Sequence, residues 1–172
     1  MKKNAKSASA ADPGLLDAIR VAMDAEAKAS NFYRESADKA SGERGRLLLR
    51  QLSQFEQAHY DKLEELRASL ADQGRFVEYG GTDFKSFTGE IPSESAGKSE
   101  AHLDDVLAIL DLAIRAETEA NARYRKLASL TPDPRGKAMF LKLADEETLH
   151  RRILADEYYH LHNQGGLWMW GD

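Results

Sequence analysis

The chain has 172 residues, of which 31% are charged, and a net charge of −5. That length suits one domain with a real core, and the acidic balance argues against a nucleic-acid partner. No cysteine is present, which excludes a disulfide framework, a zinc ribbon and a cysteine-ligated iron centre. No apolar run approaches the ~20 residues of a membrane span.

The opening stretch "MKKNAKSASAADPG" carries early lysines with no apolar segment behind them. It reads as a tail over residues 1–12 rather than a secretory leader, and a cytoplasmic location is the expectation. The first helix starts at Asp12-Pro13, a capping residue followed by the proline suited to a first helical turn. Leu16, Ile19, Met23, Tyr33 and Ala37 then recur on one stripe. The second helix is expected over about 41–70, with Leu48, Leu52, Phe55, Leu63 and Leu66 facing inward.

Residues 71–100 follow as a crossover. They are rich in Gly and Ser, yet they contain Phe76, Val77, Tyr79, Phe84, Phe87 and Ile91. A disordered linker has no use for so many apolar residues, so the segment is expected to lie along the bundle. The third helix is expected from about Ser99, with Val106, Leu110, Ile114, Tyr124 and Leu127 on its stripe. The fourth opens at Asp133-Pro134, carries Met139, Phe140, Leu143, Leu154 and Tyr158, and ends before Gly165. Residues 13–163 thus form one all-α domain, a four-helix bundle of two hairpins joined by a long crossover, with a second tail at 164–172.

Sliding the sequence against itself by 91 positions shows that the hairpins are copies. Glu26 falls on Glu117, Tyr33 on Tyr124, Arg44-Gly45 on Arg135-Gly136, Glu56 on Glu147 and His59 on His150. Residues equidistant from a hairpin turn lie at one height. Glu26 and Glu56 are equidistant from Ser41, and Glu117 and Glu147 from Pro132. Within each hairpin the two glutamates therefore face each other, with a histidine one turn away. A pseudo-twofold packing brings all six to mid-height in the core.

Four buried carboxylates need compensation, because each loses hydration worth several kcal/mol or more. The inward stripes offer no lysine or arginine. Two divalent cations would balance the charge, and an oxygen-rich set with one imidazole per metal suits iron or manganese. A lone Glu-x-x-His is a weak signal. Glu157 and His160 make such a pair without a repeat partner, since Leu66 and Ser69 stand at the matching positions. That pair reads as surface or helix-end polarity, and His102 and His162 as exposed. Tyr33 and Tyr124 fit ordinary core tyrosines as well as a functional role.

With "AMDAEAKASNFYRESA", "LLRQLSQFEQAHYDKLEEL", "AIRAETEANARYRKLA" and "FLKLADEETLHRRILADEYYHL", the chain resembles the rubrerythrin branch of the ferritin-like di-iron carboxylate superfamily. The resemblance spans about residues 14–163. In such bundles two helices each give a Glu and the other two each give Glu-x-x-His. It implies a ferritin-like fold and two iron ions, with manganese as a substitute. Glu56 and Glu147 would bridge or chelate, Glu26 and Glu117 would be terminal or bridging, and His59 and His150 would each ligate one metal. Tyr33 and Tyr124 look like the family's tyrosines that hydrogen-bond ligand carboxylates. Rubrerythrins proper add a rubredoxin-like cysteine domain, absent from this sequence. They also carry an extra glutamate three residues after the third-helix ligand, where this chain has Ala120; Glu119 nearby is expected to point away.

The resemblance implies an oxidoreductase that reduces peroxide or O2, with electrons from an external donor protein. Ferroxidation with iron storage is the alternative. A third reading makes the tail "GGLWMWGD" a docking peptide, against its tryptophans folding back onto the bundle. A homodimer is the expected assembly, and the crossover is long enough to exchange a hairpin between subunits. No nucleic-acid or membrane partner is expected.

Overall fold

The computed structural model describes residues 13–40, 43–82 and 103–163. They form four long α-helices: α1 (Pro13–Lys39), α2 (Glu43–Gln73), α3 (Leu103–Leu130) and α4 (Pro134–His162). No strand occurs among the described residues. α1 packs on α2 and α3 on α4 as two hairpins, which join into the expected four-helix bundle. None of these helices is long and apolar enough to cross a membrane.

The starts and stops follow local chemistry. Asp133 caps α4, its carboxylate accepting hydrogen bonds from the backbone N–H groups of Arg135 and Gly136 at 2.8 and 3.2 Å, with Pro134 behind it. α2 runs three residues past Leu70. Its apolar stripe stops there, but the chain stays helical until Gly74, whose φ of 60° ends the helix. The Gly74 N–H still donates to the Leu70 carbonyl at 3.0 Å, a left-handed glycine stop. The proposed caps and starts at Asp12 and Ser99 lie outside the described residues, as do both tails with Trp168 and Trp170, His102, and the crossover from residue 83 to 102.

The core is divided in two. One apolar cluster joins the beginnings of α1 and α4 to the ends of α2 and α3, through Ile19, Met23, Leu66, Leu127, Met139 and Phe140. The other joins the opposite ends, through Ala37, Leu48, Leu52, Leu110 and Leu154. The end of α2 and the start of α3 therefore lie at opposite ends of the bundle, which is why a long crossover is needed. Its first part is ordered against α4: Phe76, Val77 and Tyr79 pack on the first cluster. Phe76 lies so close to Gly136 that a Cβ there would meet its ring at 2.2 Å.

The repeat persists in the hydrogen bonds. The Ser30 hydroxyl donates to the Ser53 carbonyl at 2.9 Å between α1 and α2, and the Asn121 amide donates to the Ala144 carbonyl at 2.6 Å between α3 and α4. These four positions are related by the same 91-residue offset. Between the two apolar clusters lies a band of polar side chains.

Candidate metal centre

Glu26, Glu56, His59, Glu117, Glu147 and His150 all lie in that band, each at most 2% exposed. One chain brings all six together. They divide into two groups whose ligand-type atoms lie within 4.8 Å of one another: Glu26, Glu56, His59 and Glu147, and Glu56, Glu117, Glu147 and His150. Glu56 and Glu147 belong to both.

The oxygens of these two carboxylates explain the sharing. Glu56 turns Oε2 toward His59 Nδ1 at 3.5 Å and Oε1 toward His150 Nδ1 at 3.2 Å. Glu147 turns Oε1 toward His59 Nδ1 at 3.1 Å and Oε2 toward His150 Nδ1 at 3.1 Å. Each shared carboxylate thus offers one oxygen to each half. The imidazoles lie nearly parallel, with centroids 5.6 Å apart and planes at 18°. Both direct Nδ1 inward.

Tyrosines from the opposite hairpin hold the outer carboxylates. Tyr124 Oη donates to Glu26 Oε1 at 2.6 Å, and Tyr33 Oη donates to Glu117 Oε1. The two bonds are equivalent by the repeat, and they tie α1 to α3 across the bundle. Burial, and then the neighbouring glutamate charges, push both phenols well above their ordinary value, so both stay protonated as donors.

The electrostatics separate the carboxylates into two pairs. Burial, reinforced by the charge on Glu56, raises Glu26 and Glu117 well above the usual carboxylate range. At Glu56 burial also works upward, but the close approach of the His150 and His59 imidazoles outweighs it and holds the carboxyl low. At Glu147 burial and the Glu56 charge push up, while the His59 charge and the closeness of both imidazoles prevail and lower it. Burial opposes charging of the imidazoles. The carboxylates around them, Glu147 foremost at His59 and Glu117 at His150, prevail and raise both well above the ordinary value. With protons on Glu26, Glu117 and both histidines, the cluster is close to neutral. Four protons do the work that two divalent cations would do.

The donor set fits such cations. Glu56 Oε1, His59 Nδ1 and Glu147 Oε1 are buried and make no hydrogen bond of good geometry, although they lie about 3 Å from neighbouring polar atoms. Once a metal displaces the proton from His59, all three residues offer lone pairs within 4.8 Å of one another.

Three residues depart from expectation. Arg123, on the edge of α3, brings Nη1 to 3.7 Å from Glu26 Oε1, so one cation does approach the cluster from outside the inward stripe. Glu119 is exposed, yet it joins the lining of a cavity of about 440 Å³ between α1 and α3. That cavity reaches Glu26, Glu56 and Glu117 between small or apolar walls that include Ala25, Ala29, Phe32, Ala116 and Ala120. Ala120 leaves room where a longer side chain would fill it. Glu157 is buried rather than on the surface, at 7% exposure, because it continues the stripe of His150, Leu154 and Leu161. Its neighbour His160 is exposed, so that pair never converges.

One residue was not legible as part of the site. Glu146 is buried at 2% exposure, and its Oε2 lies 2.9 Å from His59 Nε2. Tyr79 Oη donates to the same oxygen at 2.6 Å and Thr82 Oγ1 at 3.0 Å, while the Thr82 N–H donates to Oε1 at 2.9 Å. Burial works to raise Glu146, and the bonds from His59 and Tyr79 overcome it and hold the carboxylate ionised. Its position next to Glu147 is the only sequence signal, and its repeat partner is Phe55.

The Rubrerythrin family model matches residues 108–165, most of the α3–α4 hairpin with Glu117, Glu147 and His150. Over that span the chain is similar to the Rubrerythrin family. No curated protein matches the sequence. Among solved structures, the chain is similar to a hypothetical protein from Pyrococcus furiosus. The two are 24% identical with a TM-score of 0.69, over 90% of this chain and 93% of that one; that likeness speaks for the fold. The buried Glu/His cluster is compatible with a di-iron site.

Proposed function

We propose that this chain is a non-haem di-iron oxidoreductase that reduces hydrogen peroxide, or O2, with electrons from an external donor protein. The observation that carries the reading is the pair of shared carboxylates, Glu56 and Glu147, each turning one oxygen toward each imidazole. Glu26, Glu56, His59 and Glu147 would hold one metal, and Glu56, Glu117, Glu147 and His150 the other. Oxygen-rich ligation with one imidazole per metal suits iron, with manganese next. When bound, a pair of ferrous ions supplies two adjacent one-electron reductants and a clamp on both oxygens of a small oxidant. The balance is H2O2 plus two electrons and two protons to two waters.

The protein supplies position, access and protons. Tyr33 and Tyr124 fix Glu117 and Glu26 across the bundle, so the outer ligands keep their place when charge changes at the centre. The cavity between α1 and α3 gives a small oxidant a path to three of the four carboxylates. These 172 residues hold no cysteine to bind an electron carrier, so the reading assigns electron delivery to an external donor.

The test is anaerobic loading with ferrous iron followed by stopped-flow mixing with peroxide or O2. Oxidation much faster with peroxide, saturating at two irons per chain, is expected. Efficient use of O2 with iron loading far beyond two per chain would make the protein a ferroxidase or storage protein instead.

A further inference from the structure

The repeat that builds the site is broken behind its imidazoles, as it is at the outer edge, where Arg123 near Glu26 has Phe32 as its counterpart. Position 146 is a glutamate and position 55 a phenylalanine, and the two stand in equivalent places. Glu146 lies against His59 Nε2. Phe55 stacks on His150, with centroids 5.3 Å apart and planes at 22°. A carboxylate therefore backs one imidazole and a hydrocarbon ring backs the other.

The carboxylate is also fixed from outside. Residues 79–82 cross over it and donate three hydrogen bonds, from Tyr79 Oη, Thr82 Oγ1 and the Thr82 N–H. Gly81 has a φ of 94° and passes so near that a Cβ would meet Glu146 Oε1 at 2.7 Å and Lys142 Cε at 2.3 Å. A ligating histidine whose other nitrogen donates to a carboxylate is held in one tautomer and one orientation, and is a stronger ligand.

We infer that Glu146, clamped by Tyr79 and Thr82, is a positioning residue that makes the two halves of the centre unequal, so that the half containing His59 and Glu26 binds its divalent cation first and more tightly. The inference rests on the two-metal reading. It is tested by anaerobic titration with Co2+, following d–d absorption and heat, on the wild type and on Glu146→Gln, Glu146→Phe and Phe55→Glu. The wild type should bind in two resolved steps, and His59→Ala should remove the tighter one. Glu146→Phe, which copies the first hairpin, should weaken that step by roughly 10- to 100-fold and merge the two. Glu146→Gln should fall between. Phe55→Glu should tighten the weaker step, an outcome that a merely structural role for Glu146 does not give. Two equal steps in the wild type, or a first step unmoved by Glu146→Phe, would overturn the inference and leave the two-metal reading standing. Absence of any bound Co2+ would overturn that reading itself.

A second inference has an independent source. The same 91-residue offset continues past the helices: "QGRFVEYG" at 73–80 falls on "QGGLWMWG" at 164–171. The first copy packs on α4, with Phe76 against Gly136. The partner of Gly136 is Gly45, and among the described residues nothing lies within 4 Å of a Cβ built there. On the same helix the buried Gln51 Oε1 has no hydrogen-bond donor among the described residues. The Tyr79–Glu146 contact has Trp170 and Phe55 as its repeat counterpart, a polar couple exchanged as a unit for an apolar one. We infer that the face of α2 from Gly45 to Phe55 is the docking site for residues 164–171 of the same chain.

Trp168 and Trp170 are the sequence's two tryptophans, so intrinsic fluorescence reports on this directly. Blue-shifted emission independent of protein concentration is expected. Gly45→Phe should shift it to the red while helical circular dichroism is kept. Solvent-like emission in the wild type, no response to Gly45→Phe, or a blue shift that grows with concentration would overturn docking within the chain.

Discussion

Removing metal should invert the ordinary relation between pH and stability. In the metal-free protein Glu26 and Glu117 are raised above 4.5, and His59 and His150 above 6.5. A group whose folded value is raised stabilises the fold fully below its unfolded value, and that contribution is lost as pH climbs toward the folded value. The native cluster therefore holds protons that the unfolded chain has already released, and its stability falls as pH rises. The loss starts with the glutamates above about 4.5 and is joined by the histidines above about 6.5. Each such proton changes stability by RT ln 10 per pH unit, so four together give a slope of up to about 5 kcal/mol per unit. Glu56 and Glu147 are lowered; their contribution is present above 4.5 and is lost on acidification. The metal-free optimum accordingly lies near pH 4.5, with a steeper decline above about 6.5. Urea denaturation with a chelator present, at unit steps from pH 4 to 8, measures this. With Co2+ bound the upper limb should reverse, because the metal replaces those protons. A metal-free protein whose stability is flat or rising from pH 5 to 8 would refute the view that retained protons neutralise the cluster.

Three further outcomes follow from the contacts. Tyr33→Phe should cost about 1–3 kcal/mol in urea denaturation, because Glu117 loses a buried donor; Tyr124→Phe should cost a similar amount through Glu26, and a loss below about 0.5 kcal/mol would deny the cross-bundle bonds any role. Gly136→Ala should destabilise by about 1–3 kcal/mol despite alanine's better helix propensity, since its Cβ meets the Phe76 ring; a rise in Tm would show that Phe76 does not pack there. Ala120→Phe should fill the cavity between α1 and α3 and slow reaction with peroxide at least tenfold, with metal content unchanged by elemental analysis; an unchanged rate would place the access route elsewhere.

The fold was legible because the sequence states it twice. Helical stripes, Asp-Pro starts and a 91-residue offset fix four helices and their pairing, and the hairpin turns set the heights of Glu26, Glu56, Glu117 and Glu147 without reference to side-chain packing. What stayed hidden lies where the two copies differ or where side chains meet across helices. Glu146 has no glutamate in the other copy, and its role depends on Tyr79 and Thr82, which arrive from a segment of irregular backbone with no periodicity to place it. Arg123 reaches Glu26 only because a long side chain can bend back from the edge of its helix. Glu157 resembled helix-end polarity because a pattern of residue types does not distinguish a buried carboxylate from an exposed one near the end of a stripe. The oxygens of Glu56 and Glu147, one to each imidazole, are a matter of rotamers that no spacing rule supplies.

The proposed centre requires two metals to share Glu56 and Glu147 within one chain. The most direct measurement is metal content after anaerobic ferrous loading and desalting, on the wild type and on Glu147→Ala with its helical content verified. Two irons per chain are expected in the wild type and at most one in the variant, because Glu147 belongs to both ligand groups. No retained iron in the wild type, or two irons retained without Glu147, would contradict it.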